Sequence, residues 1–273
     1  MRILNSKLTD PGIAILAMVL RTRRVLSAVT RVELEKKYSG SALGMFWLLL
    51  YPLLLLGIYL FVYVVVFRME LPGYKGLDYA LFVFCGLIPF IGLSESLSAG
   101  CPCIKQNIHL VKNVMLPIEL IPIRTVFVSL ATQMVGMMVL VVLLAVTGLL
   151  SFKVLLLPLV LVLQLLMLIG IVFVLAPLAV ALTDISYFVN LFVMLLMFGS
   201  PIGFTRNMVP GLFGVVIDLN PVTYMIEAFR FVLLANYSAS VPVLLGYSLL
   251  SIGFFFLGSL FFDRFKDVLV DYE

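Results

Sequence analysis

The stretch Val154–Thr183, with the sequence VLLLPLVLVLQLLMLIGIVFVLAPLAVALT, contains no charged residue. About 20 mostly apolar residues are enough for a helix to cross the hydrocarbon core of a bilayer, so this stretch predicts a membrane-spanning helix. The whole 273-residue chain has a similar composition, with 63% hydrophobic residues, 12% charged residues and a mean hydropathy of +1.22. A water-soluble core cannot hide so many apolar residues, which excludes a soluble enzyme, a disordered chain and a nucleic-acid-binding protein.

Five further apolar stretches are long enough to cross a membrane. The six predicted spans cover residues 44–67, 79–100, 124–148, 154–182, 186–204 and 243–262. The predicted fold is therefore an all-α membrane protein whose six transmembrane helices form one domain, 44–262, between an N-terminal segment, 1–43, and a tail, 263–273. No signal peptide is expected, because the first apolar stretch, 12–20, is short and is followed rather than preceded by arginines.

Lysine and arginine are divided unequally between the two sides that these spans define. Thirteen of the 18 lie in the N-terminal segment, in the connection between the second and third spans, and in the tail; five lie on the other side. Because cytoplasmic loops of membrane proteins carry the excess of positive charge, both termini are predicted to be cytoplasmic.

The N-terminal segment contains an uninterrupted helical pattern. Residues 15–38 lack proline and glycine. Valines 25, 29 and 32 fall on one face of the helix that this predicts, and Arg23, Thr30 and Lys37 fall on the opposite face. Such a cationic amphipathic helix favours a position in the cytoplasmic membrane interface. A generic membrane anchor would show the same pattern.

The connection 103–122, between the second and third spans, alternates polar and apolar residues before Pro117 and Pro122. Proline ends or kinks a helix, so a short helix lying flat on the membrane surface is expected here, and it could dock a cytoplasmic partner. An ordinary loop is the alternative.

The segment 205–240 is too apolar for a solvated loop, yet prolines and glycines interrupt it too often for a span. Two short helices dipping into the outer leaflet satisfy both facts, since irregular backbone survives at that depth only against protein or a water-filled cavity. Glu227 and Arg230 are three residues apart and are expected to pair on the second of these helices. A structural ion pair is the alternative to contact with a substrate.

The motifs of catalysis and metal binding are missing from the sequence. It contains no GxxxxGK[ST] phosphate-binding loop, so this chain is not expected to bind or hydrolyse ATP. Cys101, Cys103 and His109 could hint at a metal site, but zinc needs four ligands, or three and a water, with a supporting second shell, and thiols near the end of a span are more often inert. Three cysteines imply no disulfide framework. Glu95 is the one charged residue of the second span, and its role stays open.

Aromatic residues recur along the first span at four-residue spacing. They are Trp47, Tyr51, Tyr59, Tyr63 and Phe67. Such a stripe could line a conduit for sugars, because an aromatic face packs on the C–H face of a pyranose ring. The alternative is an interfacial belt, in which tryptophan and tyrosine anchor a span at the level of the headgroups.

Residues 31–47, RVELEKKYSGSALGMFW, followed by Pro52, resemble the N-terminal motif of the ABC-2 type permeases that export bacterial polysaccharides. Asn220–Pro221, with Glu227 and Arg230 after it, is similar to a second signature of that family. The segment 116–122, LPIELIP, is similar to its cytoplasmic coupling segment. Two departures stand out: Lys37 and Ser39 occupy positions where the family often has arginines, and Ile118 replaces a charged residue.

The resemblance implies a homodimer that forms a conduit in the bacterial inner membrane. Two copies of a separate ABC ATPase would supply ATP and Mg²⁺ chemistry, and undecaprenyl-linked O-antigen or capsular polymer would be the cargo. It assigns Arg31, Glu33, Lys37, Tyr38 and Ser41 to an interface helix, Lys105, His109, Lys112, Pro117, Glu119 and Pro122 to ATPase coupling, and Asn220, Pro221, Glu227 and Arg230 to an external gate. An ABC-2 permease for a drug or small lipid is the nearest alternative. A secondary transporter and a structural assembly factor are more remote.

Overall fold

The computed structural model describes residues 11–66, 68, 73–107 and 117–271, with the backbone only at 63, 207 and 267–271. Helices dominate this part of the chain. In chain order they are α1 (Pro11–Tyr38), α2 (Trp47–Tyr59), α3 (Leu77–Gly100), α4 (Leu120–Thr147), α5 (Leu157–Ala181), α6 (Ile185–Phe198), α7 (Leu212–Leu219), α8 (Pro221–Leu233) and α9 (Val241–Asp271). A 3₁₀ turn at Gly44–Phe46 and a π-helical turn at Leu60–Val66 extend α2 at its two ends.

Among the described residues, five helical segments are long and apolar enough to cross a membrane. They are Gly44–Val66, Leu77–Gly100, Leu120–Thr147, Phe152–Ala181 and Val241–Lys266. These segments confirm five of the six predicted spans. The last helix, α9, continues to Asp271, so most of the predicted tail, 263–273, is a helical extension of the final span.

The predicted span 186–204 is shorter in the structure than in the prediction. Its helix, α6, has 14 residues and ends at Phe198, just before Gly199 and Pro201. At a rise of 1.5 Å per residue it is about 21 Å long, against a hydrocarbon core of about 30 Å. The helix alone is therefore shorter than the core, and residues 199–204 continue the segment as non-helical backbone. Helices α7 and α8, which meet at 74°, form either a broken span or a re-entrant pair by their length and composition.

The helix predicted for residues 15–38 is present as α1, but it buries a different face from the valine face of the prediction. Ile15 and Leu26 are buried, whereas Val25 and Val32 are 48% and 47% exposed. The buried side packs on α4 and α9. The valine stripe is accordingly left for lipid or for another chain.

The two most closely packed helices are α5 and α9. A Cβ atom on Gly170 would overlap the carbonyl oxygen of Phe254, and one on Gly258 would overlap the carbonyl oxygen of Gly170. Small residues let membrane helices approach until their backbones touch, and dispersion contacts then accumulate along both helices. These two glycines hold α5 and α9 as one unit.

A buried amide pair fixes α3, α4 and α5 relative to one another. Gln133 donates to Gln164 Oε1 at 2.8 Å, and Gln164 donates back to Gln133 Oε1 at 3.0 Å and to the carbonyl oxygen of Pro89 at 3.0 Å. Gly92 provides room, because any side chain there would overlap Gln133. The rotation of these three helices determines which side chains face the cavity described next.

Candidate functional site

A cavity of about 480 Å³ lies where the end of α1 meets α2, α3 and α4. Its wall includes Lys37, Tyr38, Trp47, Tyr51, Pro52, Leu55, Phe84, Ile88, Ser94, Glu95, Ser98, Thr132 and Gln133. Its volume lies within the range of sites that hold small molecules in proteins. The residues come from four separate elements, so the cavity exists only in the folded bundle.

Two members of the predicted aromatic stripe line this cavity, namely Trp47 and Tyr51. The Trp47 indole N–H donates to Ser41 Oγ at 2.9 Å, which ties the first turn of α2 back to the end of the N-terminal segment. Tyr51 is 52% exposed and also contributes to the cavity wall. An aromatic face and a hydroxyl at one wall suit a ligand that is apolar on one side and polar on the other.

The other predicted aromatic residues do not line the cavity or are not described. The Tyr59 ring packs edge-to-face on Phe84, with 6.0 Å between ring centroids, and belongs to the protein core. The side chain of Tyr63 and the whole of Phe67 lie outside the described residues.

The parts of the cavity wall that belong to α3 and α4 carry Ser94, Ser98, Thr132 and Gln133 among apolar residues. Thr132 Oγ1 donates to the carbonyl oxygen of Val128 at 3.2 Å, as hydroxyls in membrane helices commonly do, and it keeps its lone pairs as acceptors. Hydroxyl and amide groups therefore line the same cavity as the aromatic rings.

An ion pair closes one side of the cavity. Lys37 Nζ lies 2.5 Å from Glu95 Oε1, although the two residues are 58 positions apart in sequence. Lys37 is the last lysine of α1, and Glu95 is the one charged residue of α3 beyond its first turn, so the pair connects α1 to a span. It gives the costly intramembrane carboxylate a partner.

The predicted interface helix makes a second ion pair with the start of α4. Arg124 Nη1 lies 3.5 Å from Glu33 Oε1, and Arg124 Nη2 donates to Asn107 Oδ1 at 3.0 Å. Arg124 is 7% exposed. Arg31, by contrast, pairs with its helix neighbour Glu35 at 3.0 Å, and both side chains are largely exposed.

The predicted coupling residues divide into a described group and an undescribed one. Lys105 donates to Thr183 Oγ1 at 3.1 Å in the turn between α5 and α6, and Glu119 lies 3.4 Å from Lys266 Nζ on α9. Pro122 is buried in the first turn of α4, while Pro117 is exposed just before that helix. His109 and Lys112 lie outside the described residues, as does the rest of 108–116.

The cysteines are free and buried. Burial raises the pKa of the Cys103 thiol to about 12 and also raises the pKa of Cys101, whose Sγ lies 3.7 Å from Ser186 Oγ. Neutral thiols are poor nucleophiles and poor metal ligands. Within the described ranges, no group of three or more His, Cys, Asp or Glu side chains is placed to hold a metal ion.

At the other end of the bundle, Arg230 is completely buried. Its guanidinium carbon lies 3.8 Å from the centroid of the Phe82 ring, and its Nη2 donates to the carbonyl oxygen of Ile202 at 2.5 Å. Glu227 Oε1 lies 3.9 Å from Arg230 Nη1, which confirms the predicted pair. Tyr237 donates to the same carboxylate at 2.5 Å, and burial beside this carboxylate raises the pKa of the Tyr237 hydroxyl.

Asn220 organises the corner between α7 and α8. Its side-chain oxygen accepts from the Val222 amide at 2.9 Å and so caps α8, while its Nδ2 donates to Gly199 O at 3.1 Å and to Ser200 Oγ at 2.9 Å. Pro221 stands in the first turn of α8, where its missing N–H costs nothing. The four predicted gate residues thus join α8 to the end of α6 and to α3.

Sequence reasoning missed four residues that build these sites: Gln133, Gln164, Phe82 and Tyr237. The two glutamines carried a readable signal, since a polar amide in the middle of an apolar span must find a partner. Phe82 and Tyr237 carried none, because their roles depend on which way α3 and the 234–240 connection face.

Comparison with known proteins finds similar sequences over most of the chain. Residues 24–234 match the family model described as "ABC-2 type transporter". Two O-antigen export system permease proteins RfbA of Klebsiella pneumoniae are similar, one 28% identical over 209 residues (76% of this chain and 78% of the relative) and the other 26% over 251 residues (90% and 95%). The O-antigen export system permease protein RfbA of Myxococcus xanthus is 24% identical over 211 residues, or 76% and 79% of the two chains.

Proposed function

Because the chain belongs to the ABC-2 type transporter family, we propose that it is the membrane permease subunit of an ATP-driven exporter of lipid-linked polysaccharide of the O-antigen or capsule type. The relatives carry the name of O-antigen export permeases. Five long apolar helices and this family make the chain an integral membrane protein.

The cavity beside α2 is the observation that carries the substrate class. Its wall contains Trp47 and Tyr51 together with Ser94, Ser98 and Thr132. A pyranose ring has C–H faces that pack on aromatic rings and a rim of hydroxyls that exchange hydrogen bonds with serine and threonine. A polymer must also move on, so many weak contacts of this kind suit it better than one tight pocket.

Two copies of the chain form the conduit in this proposal. The first span is the least covered by the rest of the chain, and its apolar residues Leu54, Ile58 and Phe61 are at least half exposed. The cavity borders this span. A second copy packed against α2 would cover the exposed apolar surface and close the open side of the cavity.

The ATPase binds the end of the bundle that carries Lys105, Glu119 and the α1 helix. This end also holds most of the lysine and arginine residues, which supports placing it, with both termini, on the cytoplasmic side of a bacterial inner membrane. The chain has no phosphate-binding loop, so ATP and Mg²⁺ belong to the partner. Helices α7 and α8 then lie at the external side as a re-entrant gate.

Depletion of this chain in the producing cell tests the cargo directly. Lipid-linked polysaccharide is expected to accumulate on the cytoplasmic side, where a glycosidase reaches it only after the inner membrane is opened. Normal surface polymer with nothing trapped inside would contradict polysaccharide export and would favour a small-lipid or drug permease of the same family.

A pair of variants tests the cavity wall. The double substitution Trp47→Leu and Tyr51→Leu is expected to slow polymer export several-fold while membrane insertion and ATPase binding persist, because only the sugar-facing rings are lost. The matched control is Tyr59→Leu, which removes an aromatic residue of the same span that packs on Phe84 instead. Equal export in both variants would contradict contact with the sugar and would favour the alternative, in which Trp47 and Tyr51 anchor the span at the membrane interface.

A further inference from the structure

A second cavity, of about 530 Å³, lies at the opposite end of the bundle from the Lys37–Glu95 pair. Its wall is formed by the turn before α7, by α7 and α8, by the 234–240 connection and by the first turn of α9. Its polar lining includes Arg206, Asp218, Thr223, Glu227, Tyr237 and Ser238. None of these residues belongs to the wall of the first cavity.

The charges around this cavity are already neutralised. Arg206 holds Asp218 through two hydrogen bonds, Nε to Oδ1 at 2.5 Å and Nη2 to Oδ2 at 2.7 Å. Glu227 accepts from the Tyr237 hydroxyl and faces Arg230. An ionic ligand would have to break one of these pairs, whereas a neutral ligand with hydroxyl groups could use the remaining lone pairs of both carboxylates.

Thr223 is the second, independent observation. It is 7% exposed and lines the cavity, yet its Oγ1 has no hydrogen-bond partner among the described residues. The Oγ1 atom is closed off from solvent in this conformation, so a ligand hydroxyl would reach it only after the side chain rotates about χ1, and the free energy that an unpartnered hydroxyl costs favours that rotation. The ring of Tyr224, whose hydroxyl donates to the carbonyl oxygen of Asp218 at 2.9 Å, gives the same cavity an aromatic wall.

We propose that this second cavity is a binding subsite for a neutral sugar unit. Hydrogen-bonding carboxylates, a free threonine hydroxyl and an aromatic wall are the groups that a hexose needs, and the volume suits a ligand of one or two sugar residues. The subsite rests on the proposed function only in that the emerging polymer would supply the sugar. It would hold the leading part of the chain at the external end and oppose its return.

Thiol labelling tests the subsite without transport. Ser238 is exposed and lines the cavity, so Ser238→Cys places a reactive thiol there, while the three native cysteines are buried. The full-length protein in detergent is treated with a polar maleimide in the presence of D-glucose, D-mannose, D-galactose or L-rhamnose, each added alone. Ala235→Cys, exposed but outside the cavity lining, is the matched control.

At least one of these sugars is expected to slow labelling of Ser238→Cys and to leave labelling of Ala235→Cys unchanged. Adding Thr223→Val, which has the same shape and removes an unpartnered hydroxyl, should leave folding intact and raise the sugar concentration for half-protection by about three- to tenfold, as the loss of one hydrogen bond predicts. Equal protection with and without the Thr223 hydroxyl would contradict its role.

Absence of protection by all four sugars, or protection by Ca²⁺ in their place, would overturn the subsite. Neither result bears on the cargo, which the depletion experiment decides separately. If sugars protect the thiol but depletion leaves the polymer on the cell surface, the subsite stands and the polysaccharide cargo does not.

Discussion

The two ends of the bundle each contain a carboxylate paired with a cation, and the two pairs lie in different environments. In the Lys37–Glu95 pair the side chains are 37% and 25% exposed and belong to α1 and α3. In the Glu227–Arg230 pair they are 13% and 0% exposed and belong to one helix, with Phe82 and two carbonyl oxygens around the guanidinium.

This difference separates a contact that can open from one that cannot. When Lys37 and Glu95 part, water reaches both groups, so the cost is that of a partly exposed ion pair. Arg230 has no route to water and would leave several buried acceptors unpaired. In our proposal the Lys37–Glu95 contact is therefore able to open during transport, while the contact that Arg230 makes between α8 and α3 stays closed.

Removal of the buried Arg230 guanidinium is expected to have the largest effect on stability and so tests the difference between the two pairs most directly. Arg230→Leu is expected to lower the free energy of unfolding by about 3–5 kcal/mol, because Glu227 is left buried without its cation. Thermal unfolding of the detergent-solubilised protein would measure this. Adding Glu227→Gln should restore part of the loss, and simple additivity of the two effects would show that the residues do not act as a pair.

Loss of the Asn220 cap of α8 is expected to have the second-largest effect on the free energy of unfolding. Asn220→Ala removes both the cap and the two amide donors to Gly199 and Ser200, and a loss of about 1–2 kcal/mol is expected. Asn220→Asp keeps the oxygen that accepts from Val222 but loses the amide donors. Unfolding measurements that place the aspartate variant between alanine and the parent would separate the cap from the link to α6. If both substitutions were neutral, the corner would not be rigid.

The exposed pair should respond weakly in stability and more strongly in function. Glu95→Gln is expected to change the free energy of unfolding by less than about 1 kcal/mol, since salt and water screen the pair. ATPase activity or export of the assembled transporter should change by a larger factor. Lys36→Gln, which removes a charge one residue earlier, is the matched control. A destabilisation as large as that of Arg230→Leu would erase the contrast between the two ends.

The reactivity of the buried Cys103 thiol reports whether the end of the bundle near Lys37 and Glu95 opens. With a pKa of about 12, Cys103 is a thiolate in only about one molecule in 10,000 at pH 8. Maleimide should therefore modify it very slowly in the folded protein, and faster as the pH rises. Mass spectrometry after unfolding in denaturant provides the reference rate. Rapid modification at pH 8 would mean that this end of the bundle opens without ATP.

Features set by local sequence were predictable. The uncharged stretches gave five spans, and the three-residue spacing of Glu227 and Arg230 predicted a pair that the structure places 3.9 Å apart. The Trp47 and Tyr51 side chains were also predicted to share a face of one helix, and both line the cavity.

Features set by helix rotation were not predictable. The role of Glu95 stayed open in the sequence, because its partner Lys37 is 58 residues away and the packing of α1 against α4 brings it there. The same reason placed Tyr59 in the core although its spacing matched Tyr51, and it exposed the valine face of α1. The predicted length of α6 was wrong for a local reason, since Gly199 and Pro201 end the helix inside an uncharged stretch.

The glycine contact between α5 and α9 bears on how the protein is made. Gly170 meets Phe254 and Gly258, residues that the ribosome adds more than 80 positions later. Until α9 enters the membrane, α5 presents an apolar groove with no partner, and the bundle cannot reach its final packing. Assembly therefore waits for the last helix, and a chain that stops before Val241 is expected to be recognised as incomplete and degraded, however many spans it has already inserted.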